Sequence, residues 1–279
     1  MPITVAEVMT KNPITCFVPS SVEKAVKILT KNNITGMPIV DSEGKYAGVL
    51  SRRDIFKNVE ETQTAIVMRT PEPIRETDPI SKAAKEMVKE GKRHLVVVNE
   101  SRKVVGIVTP QNLLPEAAKL FGDKKISEIF VDKVIPVWDR TPLKVLFNVL
   151  RISGTYVFVV IDTEGKMVGL VTDRDIFDKI ELTRNSVSSE GRMDEDEDPW
   201  TWTGLKNFVQ YAVQKNLVNI PDYNVDSVMI KEPKVSYKNE KLSSAISVML
   251  KGNFNQIPII EGDNKPFGML YDLNIMRLF

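Results

Sequence analysis

The chain has one cysteine and one histidine, Cys16 and His94, in 279 residues. A single cysteine excludes an internal disulfide and any site built from several thiolates. A single histidine removes most zinc chemistry and the Ser–His–Asp class of nucleophilic catalysis, so no metal and no organic cofactor is expected. Charge of one sign is missing as well. The 38 Lys and Arg oppose 37 Asp and Glu for a net charge of +1, which argues against a dedicated nucleic-acid surface. No apolar run is long enough to span a membrane. Met1-Pro2-Ile3-Thr4 lacks the charged-then-apolar pattern of a secretion signal, and the expected location is cytoplasmic.

What the chain does have is a repeat. Four amphipathic helix patterns follow the i, i+3, i+4, i+7 spacing of a helix with one buried face. They are Val22, Ala25, Val26 and Leu29; Ile80, Ala83, Ala84 and Met87; Leu143, Leu146, Phe147 and Leu150; and Leu242, Ala245, Ile246 and Met249. A glycine stands 26 residues beyond the start of each, at Gly48, Gly106, Gly169 and Gly268. Between helix and glycine lie an apolar strand, such as Met37-Pro38-Ile39-Val40, and a turn such as Asp41-Ser42-Glu43-Gly44. These are hairpin compositions. Each unit reads strand, helix, strand, strand, helix, an α+β organisation. The boundaries are expected at 1–61, 62–122, 123–181 and 223–279, with 182–222 as an insertion. That insertion carries the acidic run Asp194-Glu195-Asp196-Glu197-Asp198 and Trp200 and Trp202. It reads either as a solvated loop or as a regulatory lid or partner surface. A unit this small cannot bury both faces alone, so the first should pair with the second and the third with the fourth. Met9, Met68, Met87, Met229 and Met249 read as core filler.

The stretch Gly48-Val49-Leu50-Ser51-Arg52-Arg53-Asp54 reads as the end of a buried strand entering a helix. The glycine admits a close backbone approach. Ser51 offers a hydroxyl and an N–H where an anion is welcome, and Asp54 lies one helical turn on. A diol and a phosphate on one molecule would suit that pair.

This repeat resembles the CBS motif, named after cystathionine β-synthase. The residues that carry the likeness are Val8-Met9-Thr10 before Pro13, Gly36-Met37-Pro38-Ile39-Val40 and the Gly48–Asp54 stretch. Val67-Met68 and Val228-Met229 repeat the opening. The resemblance implies two Bateman modules, stacked as a disc as in the gamma subunit of AMP-activated kinase, in a monomer or a homodimer. It also implies adenosine-containing ligands in clefts between paired motifs. The aspartate would hold ribose, the Ser or Thr would meet phosphate, and strand residues would flank adenine. On this chain the ribose positions are Asp54, Asp175 and Asn112. The phosphate positions are Ser51, Arg53, Thr109, Thr172, Arg174, Arg93 and His94. The adenine wall is Thr15, Cys16, Gly36, Met37 and Pro38 in the first repeat and Thr155, Tyr156 and Val157 in the third.

The four sites differ. Three residues after each glycine stand Ser51, Thr109, Thr172 and Tyr271; six after stand Asp54, Asn112, Asp175 and Asn274. A carboxylate accepts from both ribose hydroxyls, whereas Asn has one acceptor oxygen. Charged hydrogen bonds contribute about 1.5–3 kcal/mol against about 1 for neutral ones. The first and third repeats are therefore expected to bind best and the fourth worst. Pro110 removes an N–H from the second site. Arg53 and Arg174 read as phosphate clamps or as surface arginines, and His94 as a phosphate contact or a packing residue. Cys16 reads also as a buried small apolar residue.

The expected function is a non-catalytic regulatory sensor of AMP, ADP or ATP, acting on a regulated protein partner. S-adenosylmethionine or a related adenosyl compound is the alternative ligand. A scaffold with vestigial sites is the alternative role. No stretch is left for a catalytic barrel of about 250 residues.

Overall fold

The computed structural model describes residues 2–32, 34–58, 61–153, 155–172, 175 and 223–279. Arg174 and the 182–222 insertion lie outside the described residues, as does most of the helix expected after the third glycine. The described residues divide into two compact units: one holds the chain up to Leu120 together with Ile275–Phe279, and the other runs from Phe121 to Asn274.

In the first unit the order is α1 (Val5–Val8), β1 (Thr10–Lys11), β2 (Cys16–Phe17), α2 (Val22–Lys31), β3 (Gly36–Val40), β4 (Tyr46–Ser51) and α3 (Arg52–Lys57). The second repeat follows as α4 (Thr64–Val67), β5 (Ile74–Arg75), α5 (Ile80–Glu90), β6 (Leu95–Val98), β7 (Val104–Val108) and α6 (Pro110–Phe121). The other unit contains β8 (Pro136–Trp138), α7 (Leu143–Ser153), β9 (Val157–Ile161) and β10 (Met167–Thr172). After the insertion come β11 (Ser236–Tyr237), α8 (Leu242–Gly252), β12 (Gln256–Ile260), β13 (Pro266–Tyr271) and α9 (Asp272–Met276).

The described side chains of the helix stripes read from the sequence are core. Val22, Ala25, Val26 and Leu29 are at most 2% exposed, and Leu242, Ala245, Ile246 and Met249 are fully buried. Each repeat lays its first strand parallel to its second and its second antiparallel to its third, as in β2-β3-β4 and β11-β12-β13. Asp41 closes the first hairpin by accepting from the N–H groups of Glu43 and Lys45, both at 2.9 Å, and Asp162 repeats this with Glu164 and Lys166. The fourth hairpin departs from this pattern and turns through a short 3₁₀ segment, Gly262–Asn264.

The repeats of a unit interlock through their opening segments. In the first unit β1 adds to the edge of β7, with Thr10 opposite Ile107. Arg69, from the opening of the second repeat, exchanges backbone hydrogen bonds with Val49 on β4 at 2.8 and 2.9 Å. In the other unit Ile230 pairs with Leu170 and Asp132 with Met269 in the same way. The four glycines make room for this exchange. A Cβ on Gly48 would lie 2.7 Å from the Arg69 carbonyl oxygen and 3.0 Å from Met68 Sδ. Met9 sits on Gly106, Met229 on Gly169 and Val131 on Gly268. The close approach expected at each glycine is therefore made by the paired repeat.

Candidate functional site

Each strand-to-helix junction is built by a cap. Ser51 has extended backbone (φ −125°, ψ 163°) at the N-cap of α3. Asp54, three residues on, turns its carboxylate back. Its Oδ2 accepts from the Ser51 N–H at 2.8 Å and from the Ser51 hydroxyl at 2.5 Å. Thr109 and Asn112 repeat this at 2.9 Å for both bonds, Thr172 and Asp175 at 2.8 and 2.7 Å, and Tyr271 and Asn274 through the N–H alone at 2.7 Å. The hydroxyl-then-acid spacing thus satisfies an orphan donor at a helix start. In this arrangement the Ser and Thr hydroxyls point at the acid rather than outward.

At three of the four junctions the other polar atom of the Asp or Asn crosses to the paired repeat. Asp54 Oδ1 accepts from Arg69 Nε at 2.6 Å. Asn112 Nδ2 donates to Thr10 Oγ1 at 3.2 Å, and Asn274 Nδ2 donates to Asp132 Oδ2 at 2.9 Å. For Asp175 the matching position is Ile230. At three of the four junctions the Asp or Asn thus complements the residue that its partner repeat presents, and Asp175 is the exception. Arg69, Thr10 and Asp132 were not legible as site residues. The signal was there in the residue that follows Met68, Met9 and Val131.

Asp54, 8% exposed, sits in cationic surroundings. His94 packs its ring over Gly36, where an added Cβ would stand 2.9 Å from two ring atoms. Its Nε2 is 3.1 Å from Thr35 Oγ1. Burial, then the charge of Arg93 and Arg69, with a smaller push from Arg53, lowers its pKa to about 4 against the opposing pull of Asp54. Arg69 Nη1 is buried with no hydrogen-bond partner among the described residues. The structure brings Asp54, Ser51, Arg53, Arg93 and His94 of the expected site residues into one neighbourhood, together with Arg69 and Thr35, which were not among them. Cys16 and Met37 point into the core of the first repeat beside Val22, Ile39 and Leu50, so only their backbone could flank a base. Gly36 is backed by His94, Pro38 pairs in register with Val49, and Thr15 is half-buried. In the third repeat Thr155 is half-buried, Tyr156 is 41% exposed and Val157 belongs to a core cluster with Val159 and Leu170. Among the described residues no cluster could hold a metal ion, and no helix is long and apolar enough to cross a membrane.

The lowered His94 pKa sets a pH signature. The unfolded imidazole, with its ordinary value near 6.5, takes up a proton before the folded one does. Stability from the neutral ring is thus complete above about pH 6.5 and is lost as pH falls through about 4, a loss of about 2–3 kcal/mol. Denaturant midpoints between pH 7 and 4 should fall, and His94→Gln should flatten that segment. The single histidine makes its ring resonance an unassigned but unambiguous readout by NMR. A ring titrating near 6.5 in the folded protein would contradict this geometry.

Comparison with known proteins agrees with the repeat. A family model described as CBS domain matches residues 5–61, 64–119, 126–182 and 225–279. MJ1404, an uncharacterised protein of Methanocaldococcus jannaschii, is 30% identical over 181 residues, which cover 63% of this chain and 43% of its own length. The structure of protein MJ1225 from the same organism aligns over 99% of this chain and 100% of that one, with a TM-score of 0.72 at 16% identity. The CBS domain pair of protein MJ0100, crystallised in complex with 5′-methylthioadenosine and S-adenosyl-L-methionine, is 34% identical. It covers 45% of this chain and 100% of its own, with a TM-score of 0.40. The chain spans less than half the length of MJ1404 and 24% of an L-aspartate semialdehyde sulfurtransferase of the same organism, to which it is 38% identical over 128 residues.

Proposed function

The chain belongs to the CBS-domain family, and from that premise we propose that it is a non-catalytic regulatory sensor of adenosine-containing ligands, bound in clefts between paired repeats. AMP, ADP and ATP are the foremost candidates. The observation that carries this reading is the Asp54 neighbourhood. A carboxylate that can accept from a ribose diol stands beside Arg69, Arg93 and His94, which can meet an anion. Ligand binding would bias the packing of the paired repeats or of a protein partner by its differential affinity for the two arrangements. A second reading, S-adenosylmethionine or a related adenosyl compound, is favoured at Asp175, where the paired repeat presents Ile230 instead of an arginine.

Titration calorimetry of the chain with AMP, ADP, ATP, S-adenosylmethionine and 5′-methylthioadenosine tests the reading. Saturable heat is expected with at least one adenine nucleotide, and Asp54→Ala should remove that site. No saturable heat with any of the five would overturn it.

A further inference from the structure

The two units differ at the residue that the paired repeat sets against the ribose-binding acid. In the first unit both oxygens of Asp54 are already used. Oδ2 holds the Ser51 N–H and hydroxyl, and Oδ1 holds Arg69 Nε. Three of the four acceptor positions of the carboxylate are thus taken, so a sugar diol that donates both hydroxyls to Asp54 needs the position Arg69 holds on Oδ1. A ligand without phosphate offers Arg69 nothing in exchange, and a partly buried guanidinium left unpaired is costly. A phosphate does offer something, since it accepts from a guanidinium through two oxygens at once. Arg69 Nη1, buried and without an acceptor among the described residues, is already a donor in waiting. Arg93 and Arg53 add to the positive potential at the same place, beside the neutral His94 ring.

The other unit lacks this lock. Asp175 Oδ2 accepts from the Thr172 N–H and hydroxyl, and its Oδ1 has no partner among the described residues. Ile230 is hydrogen-bonded to Leu170 as Arg69 is to Val49, and it brings no charge. Asn255 and Gln256 stand as far ahead of Gly268 as Arg93 and His94 stand ahead of Gly106. The basic set of the first unit is reduced by sequence to Arg174.

We infer that the residue after the opening methionine of the second repeat in each pair, Arg69 or Ile230, sets the charge class of ligand its unit accepts. Arg69 makes the Asp54 cleft demand a phosphate-bearing adenosyl ligand. Ile230 leaves the Asp175 cleft open to an adenosyl compound without phosphate, such as a thioether or a sulfonium. This rests on the sensor reading above and adds the division of labour between the units.

The test uses the whole chain, with AMP and 5′-methylthioadenosine as probes, calorimetry for affinity and the single His94 resonance as a reporter of the first cleft alone. In the wild type AMP should shift His94. The thioether should bind without shifting it, and Asp175→Ala should remove that heat. Arg69→Ile should weaken AMP by about 10-fold or more, the loss of one charge-assisted contact, and should let the thioether shift His94. Arg69→Gln, which removes the charge that would pair with phosphate, should weaken AMP in the same way if the isoleucine variant folds poorly. Ile230→Arg should weaken the thioether by a similar factor. A thioether that shifts wild-type His94 at the same concentration as AMP would overturn the inference, as would an Arg69→Gln variant with unchanged AMP affinity. Either outcome leaves the sensor reading standing, because binding would still be seen. No binding of either probe would overturn the inference, and the sensor reading would fall with it only if ADP, ATP and S-adenosylmethionine gave no heat as well.

Discussion

Replacing Gly48 with alanine should destabilise the first unit by about 2–4 kcal/mol, well above the usual effect of one added methyl group. The new Cβ would meet the Arg69 carbonyl oxygen at 2.7 Å. That carbonyl is backbone, tied to Val49 by a hydrogen bond at 2.8 Å, so it has no side-chain rotation by which to yield. The opening segment of the second repeat would be pushed off β4, and Arg69 would lose its 2.6 Å contact with Asp54. Gly44→Ala is the control. Gly44 has φ +75° with nothing within 4 Å of an added Cβ, so its cost is conformational, about 1 kcal/mol. Guanidinium unfolding followed by circular dichroism compares the two. If Gly48→Ala costs no more than Gly44→Ala, the close approach is not what holds the two repeats together.

That contrast marks where the sequence was legible. The helix faces were plain, because a 3.6-residue period reports burial directly, and Val22, Ala25, Val26 and Leu29 are buried as the pattern requires. The paired strands and their turns followed from composition. The strand-to-helix junction was located correctly, but its chemistry is double. A hydroxyl followed three residues later by an acid is also the signature of a helix cap, and Ser51 and Asp54 form one. One chain read along its length cannot separate a group that caps from a group that also binds. Arg69 was hidden for another reason. It reaches Asp54 only because two repeats exchange their opening segments, a pairing that no local spacing encodes. Laid side by side, the couples Asp54 with Arg69, Asn112 with Thr10 and Asn274 with Asp132 complement one another, and that covariation within one chain was the available signal. His94 was flagged by its basic neighbours, while its hydrogen-bond partner Thr35 carried no pattern at all.

Asn274→Asp should likewise destabilise the other unit by about 2–4 kcal/mol at pH 7. Asn274 is 3% exposed. Its Oδ1 accepts from the Tyr271 N–H, which fixes its Nδ2 toward Asp132 Oδ2 at 2.9 Å. A carboxylate here would keep the cap and set two negative charges against each other in a partly buried place. The sign of the pH dependence follows. Repulsion raises the pKa of the pair above the unfolded value near 3.9, so the folded variant takes up a proton first as pH falls. The variant should therefore recover stability relative to wild type between pH 7 and about 4.5. Adding Asp132→Asn should restore it at pH 7, since the second amide can donate to the new carboxylate. Denaturant midpoints for the four proteins at both pH values form a double-mutant cycle. Additive losses with no acid recovery would show that the Asn–Asp contact is incidental. Coupling of the expected sign would make Asn274 a group matched to Asp132 rather than a degraded ribose site, with the identity at this position governed by the partner repeat.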